Sequence, residues 1–186
     1  MTPAGVADGP PPPVHLLVVC TGNAARSVMA GLMLEYLSEA GGLGLEVATA
    51  GTHTVDGQPV SLRTRAALGA VDPLADVPVG RHRSHQLTGA DLDRADLVVA
   101  MEADHVRYVR RRHAAAAGRT ATLRRLCAEL APGPAPLAAR LDALSLASVE
   151  LHADEDVADP AGRDEEVYVG CAIELWGLCR ELAARL

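Results

Sequence analysis

The strongest hydropathy signal lies at residues 15–19, His-Leu-Leu-Val-Val, an apolar run without polar alternation. Such a run predicts a short strand buried on both faces. From Ser27 to Ala40 the period changes: Met29, Leu32, Met33, Tyr36 and Leu37 recur at helical spacing. That spacing predicts an amphipathic helix, with Ser27 as N-cap and Gly41-Gly42 as its stop. Residues 45–50 read as a second strand, broken by Gly51, and residues 61–69 as a helix. A short helix is expected over 87–94 with Thr88 as its cap, then a third strand over 96–101 around Leu-Val-Val-Ala. An Arg-rich helix over 103–117 and a fourth strand over 120–126 follow. Residues 131–159 read as loop with a helix at 137–149. Residues 165–186 read as a final helix, striped by Cys171, Leu175, Leu178 and Leu182.

Strands alternating with helices predict a single three-layer α/β domain: a four-stranded parallel sheet flanked by helices. In such sheets ligands bind beyond the carboxyl ends of the strands, which directs attention to the turn after the first strand. Residues 1–13, ending in Pro10-Pro11-Pro12-Pro13, read as a flexible leader, and 14–186 as the domain.

Composition narrows the class. The chain has 186 residues, 49% hydrophobic and 22% charged, ordinary for a globular protein. A net charge of −7, with all basic residues Arg, argues against general nucleic-acid binding, which needs a basic face. Without a run of 18 apolar residues or a basic segment leading into an apolar one, neither membrane span nor secretory signal is expected. The 4 Cys are too few for a disulfide scaffold, which points to a reducing, cytoplasmic setting.

The turn after the first strand is Cys20-Thr21-Gly22-Asn23-Ala24-Ala25-Arg26-Ser27. A Cys leaves a buried strand, a small-residue loop follows, and an Arg and a Ser open a helix. The amides of Thr21 to Arg26, with the free donors of the helix's first turn, suit a tetrahedral oxyanion. Gly22 and Asn23 tolerate the positive φ that turns amides inward. Arg26 can give parallel hydrogen bonds to equatorial phosphoryl oxygens. The same field and a hydrogen bond from Ser27 favour a Cys20 thiolate, placed for in-line attack on phosphorus. A lone buried Cys would more simply be core packing. That reading leaves the turn residues, the Arg and the helix start unexplained together.

Val18-Val19-Cys20-Thr21-Gly22-Asn23-x-x-Arg26-Ser27 resembles the signature loop of the low-molecular-weight protein tyrosine phosphatases and the related thioredoxin-coupled arsenate reductases. The resemblance continues through Thr49-Ala50-Gly51-Thr52, His82-Arg83-Ser84, residues 95–101 and Asp159-Pro160. It implies a phosphomonoester hydrolase acting through a cysteinyl-phosphate, without metal or other cofactor. Cys20 would be the nucleophile, Arg26 the transition-state clamp and Asp159 the general acid, then base. From the residues alone, Asp159 lies in an acidic stretch that also reads as solvated loop; a carboxyl fixed by the following Pro160 suits acid–base work. The implied substrate is a phosphotyrosyl protein.

Several positions depart from the family pattern. Ala25 replaces the Cys that can protect the nucleophile as a disulfide, and Val28 replaces a common Pro. Ala24 stands where a bulky aliphatic or Thr shapes the pocket wall. Ala161-Gly162 and His53-Thr54-Val55 carry none of the aromatics that sandwich a phosphotyrosyl ring, a contact of about 0.5–1.5 kcal/mol per ring pair. A small non-aryl phosphoester therefore stands as an alternative substrate. The arsenate-reductase alternative needs relay thiols, yet the middle segment has no Cys. Cys171 and Cys179 are about 12 Å apart along a helix, too far for a disulfide, so core packing is expected for them. Cys127 is the remaining relay position, outside the expected segment. His82-x-x-His85 lacks further metal ligands, and the Arg107, Arg110, Arg111 and Arg112 face reads as solvated.

Overall fold

The computed structural model describes residues 12–186, so most of the Pro-rich leader lies outside the described residues. Four strands form one parallel sheet: β1 (Val14–Cys20), β2 (Leu45–Gly51), β3 (Leu97–Ala100) and β4 (Thr120–Thr122), in the order β2-β1-β3-β4. The helices in chain order are α1 (Arg26–Gly41), α2 (Leu62–Gly69), α3 (Gly89–Arg94), α4 (Ala103–Arg112), α5 (Leu123–Glu129), α6 (Leu137–Asp142) and α7 (Glu165–Ala183).

Strand alternation sorts the apolar residues between two cores. Leu16, Val18, Leu97 and Val99 face a large core shared with α1, α2, α5 and α7. Leu17, Val19 and Val98 face a smaller one closed by Leu92 of α3 and Val109 of α4. The three-layer α/β domain is thus realised with β1 and β3 central, as their unbroken apolar runs require. Among the described residues no helix is long and apolar enough to cross a membrane.

Local chemistry sets most boundaries as expected. Gly42, at φ 65°, ends α1 in the left-handed region and donates its amide to Ser38. Thr88 caps α3 in a reciprocal capping box with Asp91. Three expectations are corrected. The fourth strand stops at Thr122, not at 126, because the Thr122 hydroxyl accepts from the Arg125 amide and starts α5. The α-helix expected over 103–117 ends at Arg112, and a 3-10 turn over Ala114–Arg119 feeds the chain into β4 with Ala116 and Ala117 buried. The helix expected over 137–149 ends at Asp142, and Ser145 adopts a φ of 52°.

The acidic stretch before Asp159 is pinned, not free. Glu155 is buried against Arg125, whose Nε donates to it at 3.0 Å, and accepts from the Thr122 hydroxyl at 2.7 Å. Arg125 also donates to the Glu150 carbonyl, and Arg107 and Arg110 donate to the carbonyls of Leu151 and Leu146. Of the arginines expected to be a solvated face, Arg111 and Arg112 are exposed, whereas Arg107 and Arg110 join Arg125 in holding residues 146–155 against α4 and α5.

Candidate active site

At the carboxyl end of β1 the chain turns through Cys20–Arg26, and every carbonyl from Cys20 to Ala25 is bonded from outside the turn. The amides of Thr52 and His53 donate to the Cys20 and Thr21 carbonyls at 2.9 Å, and the Thr54 hydroxyl to Gly22 at 2.7 Å. His82 Nε2, facing a carbonyl and so carrying hydrogen, donates to Asn23 at 2.9 Å. The Thr64 hydroxyl donates to Ala24 at 2.9 Å, and the Met29 amide to Ala25 at 2.8 Å. With the carbonyls held outward, the amides of Gly22, Asn23, Ala24 and Ala25 donate to no acceptor among the described residues. The turn that leaves Cys20 thus has its carbonyls engaged and its amides free, the arrangement of a backbone anion site.

Two backbone features permit it. Asn23 has φ 46°, while Gly22 is not in the positive-φ region, so that expectation holds at Asn23 alone. Gly51 is required for close approach: a Cβ there would lie 2.6 Å from the Thr21 carbonyl oxygen and 3.1 Å from the Asn23 nitrogen.

Asn23, fully buried, organises the interior. Its Nδ2 donates to Ser27 Oγ at 3.0 Å and to Thr49 Oγ1 at 2.9 Å, and its Oδ1 accepts from the His85 amide at 2.9 Å. Ser27 Oγ lies 3.0 Å from Cys20 Sγ. Since the Ser27 oxygen already accepts from Asn23, its hydrogen is left to point at the sulfur. Ser27 is therefore not the N-cap: α1 begins at Arg26, with Ala25 capping without a side-chain bond. The hydroxyl is turned inward to the sulfur instead.

Arg26 is 2% exposed, and its guanidinium is held on three sides. One terminal nitrogen donates to Glu102 Oε1 and, at 2.9 Å, to the Val157 carbonyl; the other donates to Asp159 Oδ2 at 2.7 Å. Asp159 arrives because Val157 donates its amide to Met101 at the end of β3 and Asp156 Oδ1 accepts from the Ala103 amide, capping α4. The other Asp159 oxygen accepts from the Ala161 amide at 3.0 Å. The structure thus brings together Cys20, Arg26, Ser27, Asn23 and Asp159, which stand up to 139 positions apart (159 − 20).

Sequence reading missed Glu102, His105 and the supporting hydroxyls of Thr49, Thr54 and Thr64. The signal for Glu102 is its place just past β3, the same carboxyl-end position that marked Cys20. His82 and His85, expected as surface or loop histidines, have structural partners: His82 holds the turn, its pKa lowered chiefly by burial, and His85 pairs with Asp91 at 2.9 Å. Among the described residues no cluster of side chains converges to hold a metal ion. Cys127 and Cys171 are buried, and burial pushes their thiols up to about 11 and about 12; Cys179 is pushed up for the same reason. All three pack in the core that was expected to take Cys171 and Cys179.

The family model for low molecular weight phosphotyrosine protein phosphatase matches residues 15–131. A protein-arginine-phosphatase of Geobacillus stearothermophilus is 30% identical over 174 residues, 94% of this chain and 97% of that protein. A probable low molecular weight protein-tyrosine-phosphatase of Ralstonia solanacearum is 34% identical over 105 residues, 55% of this chain and 66% of that protein. The crystal structure of a low molecular weight protein tyrosine phosphatase from T. tengcongensis superposes with TM-score 0.74 at 29% identity, covering 93% of this chain and 99% of that one. The chain belongs to the low molecular weight phosphotyrosine protein phosphatase family and is a cysteine-dependent phosphatase.

Proposed function

We propose that the chain removes the phosphoryl group from a phosphorylated protein side chain through a cysteinyl-phosphate on Cys20. The observation that carries this reading is a turn whose carbonyls are all engaged and whose amides are free, running from a buried cysteine to a buried Arg. Equatorial oxygens of the phosphoryl group take the amides of Thr21 to Arg26 and the Arg26 guanidinium. The Cys20 thiolate, receiving the Ser27 hydroxyl hydrogen, attacks phosphorus in line. The bond from phosphorus to the leaving atom breaks as Asp159 gives that atom a proton. Water then attacks the cysteinyl-phosphate, Asp159 takes its proton, and the thiolate leaves. For this cycle Asp159 exchanges its contact with Arg26 for one with the leaving atom, which its 41% side-chain exposure allows.

The mouth favours phosphoarginine as the substrate side chain. All four aromatic residues are engaged elsewhere: Tyr36 against Trp176, Tyr108 against His113, and Tyr168 buried in α7. A phosphotyrosyl ring finds no aromatic partner, whereas the carboxylate of Asp159, 41% exposed, suits a guanidino group. The full-length Geobacillus relative, named a protein-arginine-phosphatase, supports the same reading. Phosphotyrosine is the second reading, supported by the family model and by the T. tengcongensis fold.

The test is phosphate release, with EDTA present, from a phosphoarginine protein, a phosphotyrosine peptide and alkyl phosphates. Wild type, Cys20→Ser and Asp159→Ala are run together. We expect turnover to be abolished in Cys20→Ser and reduced about 10²–10⁴-fold in Asp159→Ala. Turnover retained in Cys20→Ser, or absent with every substrate, overturns the reading; phosphotyrosine outpacing phosphoarginine selects the second substrate.

A further inference from the structure

His105 lies on the first turn of α4, 3% exposed, and the phosphatase chemistry described above gives it no part. Its Nε2 is 3.0 Å from the Thr21 hydroxyl, the first side chain of the phosphate-binding turn, and 3.4 Å from Glu102 Oε2. The other oxygen of that carboxylate holds Arg26. His105 Nδ1 is buried without a partner. These contacts favour the tautomer with its hydrogen on Nε2. The Glu102 carboxyl group paired with Arg26 and facing Nε2 calls for a hydrogen there, and an unpaired lone pair on Nδ1 is less costly to bury than an unpaired N–H.

We propose that His105 is a positioning residue, whose Nε2–H donates to the Thr21 hydroxyl while lying against the Glu102 carboxylate, and so holds Arg26 and the turn in register for the phosphoryl group. The inference rests on the reading of Cys20 and Arg26 as the phosphoryl-handling pair. A neutral donor is what the place requires. A second positive charge beside Arg26 would compete for Glu102 and loosen the guanidinium, whereas a neutral imidazole orients the carboxylate without neutralising it.

Its surroundings keep it neutral. Burial foremost, then the Arg26 charge, lower the His105 pKa to about 4, against the opposing pull of Asp156, Asp159 and Asp104. Glu102 faces the same nitrogen from the α4 N-cap. The N-terminus of α4 disfavours the imidazolium further.

The experiment compares wild type with His105→Gln, whose amide places an N–H near Nε2, and His105→Leu, which fills the space without a donor. Thermal melts and circular dichroism establish that each variant is folded. We expect His105→Leu to lower kcat/KM about 10-fold, carried by kcat, and to weaken tungstate affinity by a similar factor; His105→Gln should stay within about 3-fold of wild type on both. In a double-mutant cycle with Glu102→Gln the losses should not add. Nitrogen-15 shifts of the His105 ring should show the proton on Nε2 and a neutral ring at pH 6.

Equal behaviour of the Gln and Leu variants, additive losses, or a proton on Nδ1 overturns the proposal. If no His105 variant folds, the ring shifts of the wild type decide it. Tungstate binding needs no turnover, so the inference is judged even where every phosphoryl substrate is refused. That refusal counts against the proposed function, and unchanged tungstate affinity in His105→Leu counts against His105 alone.

Discussion

Replacing Asn23 separates the two tasks that one buried side chain performs. Its amide makes three hydrogen bonds, to Ser27, Thr49 and the His85 backbone, and its backbone sits at φ 46°. The bonds contribute about 1 kcal/mol each, about 3 kcal/mol in sum. An alanine held at left-handed φ costs about 1 kcal/mol more, which glycine avoids. Asn23→Ala should therefore lose about 4 kcal/mol and Asn23→Gly about 3 kcal/mol in urea denaturation, corresponding to a Tm lower by about 8–16 °C for alanine. Activity should fall in both, because the Ser27 hydroxyl loses the donor that directs its hydrogen to Cys20. Asn23→Asp keeps the acceptor for His85 but turns a carboxylate oxygen toward Ser27. It should recover part of the stability and none of the activity. A loss below about 1 kcal/mol for Asn23→Ala, or a glycine variant no more stable than the alanine one, refutes this account of the turn.

Two further predictions concern backbone approach and protonation. Gly51→Ala places a Cβ 2.6 Å from the Thr21 carbonyl oxygen, so the turn must shift. The expected cost is about 1–3 kcal/mol with at least about 10-fold lower kcat/KM, measured by denaturation and steady-state kinetics. His105, depressed from 6.5 to about 4, binds its proton more readily in the unfolded chain. Stability is therefore lost as pH falls through that window. The loss is about 2–3 kcal/mol between pH 7.5 and 4.5. His105→Gln should lack this component, and an unchanged acid limb in that variant would contradict the burial argument.

How much of this molecule could be read from its sequence depends on the range of the forces involved. The burial of β1 and β3, the period of α1, the Thr88 capping box and the Gly42 stop are local consequences of apolar patterning and capping chemistry, and they were legible. So was the turn from Cys20 to Ser27, whose residues lie consecutively in the chain. Boundaries failed where a long-range partner competed with local propensity: Thr122 ends β4 because its hydroxyl serves both Arg125 and Glu155. Arg107, Arg110 and the buried Arg125 found partners that local pattern does not encode, in carbonyls and a carboxylate brought from residues 146–155.

The same division runs through the site. By itself the sequence determined the α/β class, the place of the anion-binding turn and the presence of its Cys, Arg and Ser, since each follows from neighbours in the chain. Only the tertiary structure decided that Ser27 faces the sulfur instead of capping α1, and that Glu102, Val157 and Asp159 converge on one guanidinium. It also decided that a buried His105 stands between the turn and that guanidinium's carboxylate. The physical reason is that a parallel sheet gathers the carboxyl ends of distant strands at one edge. Residues more than a hundred positions apart then satisfy one another's buried charge, and nothing in local pattern or propensity encodes that pairing.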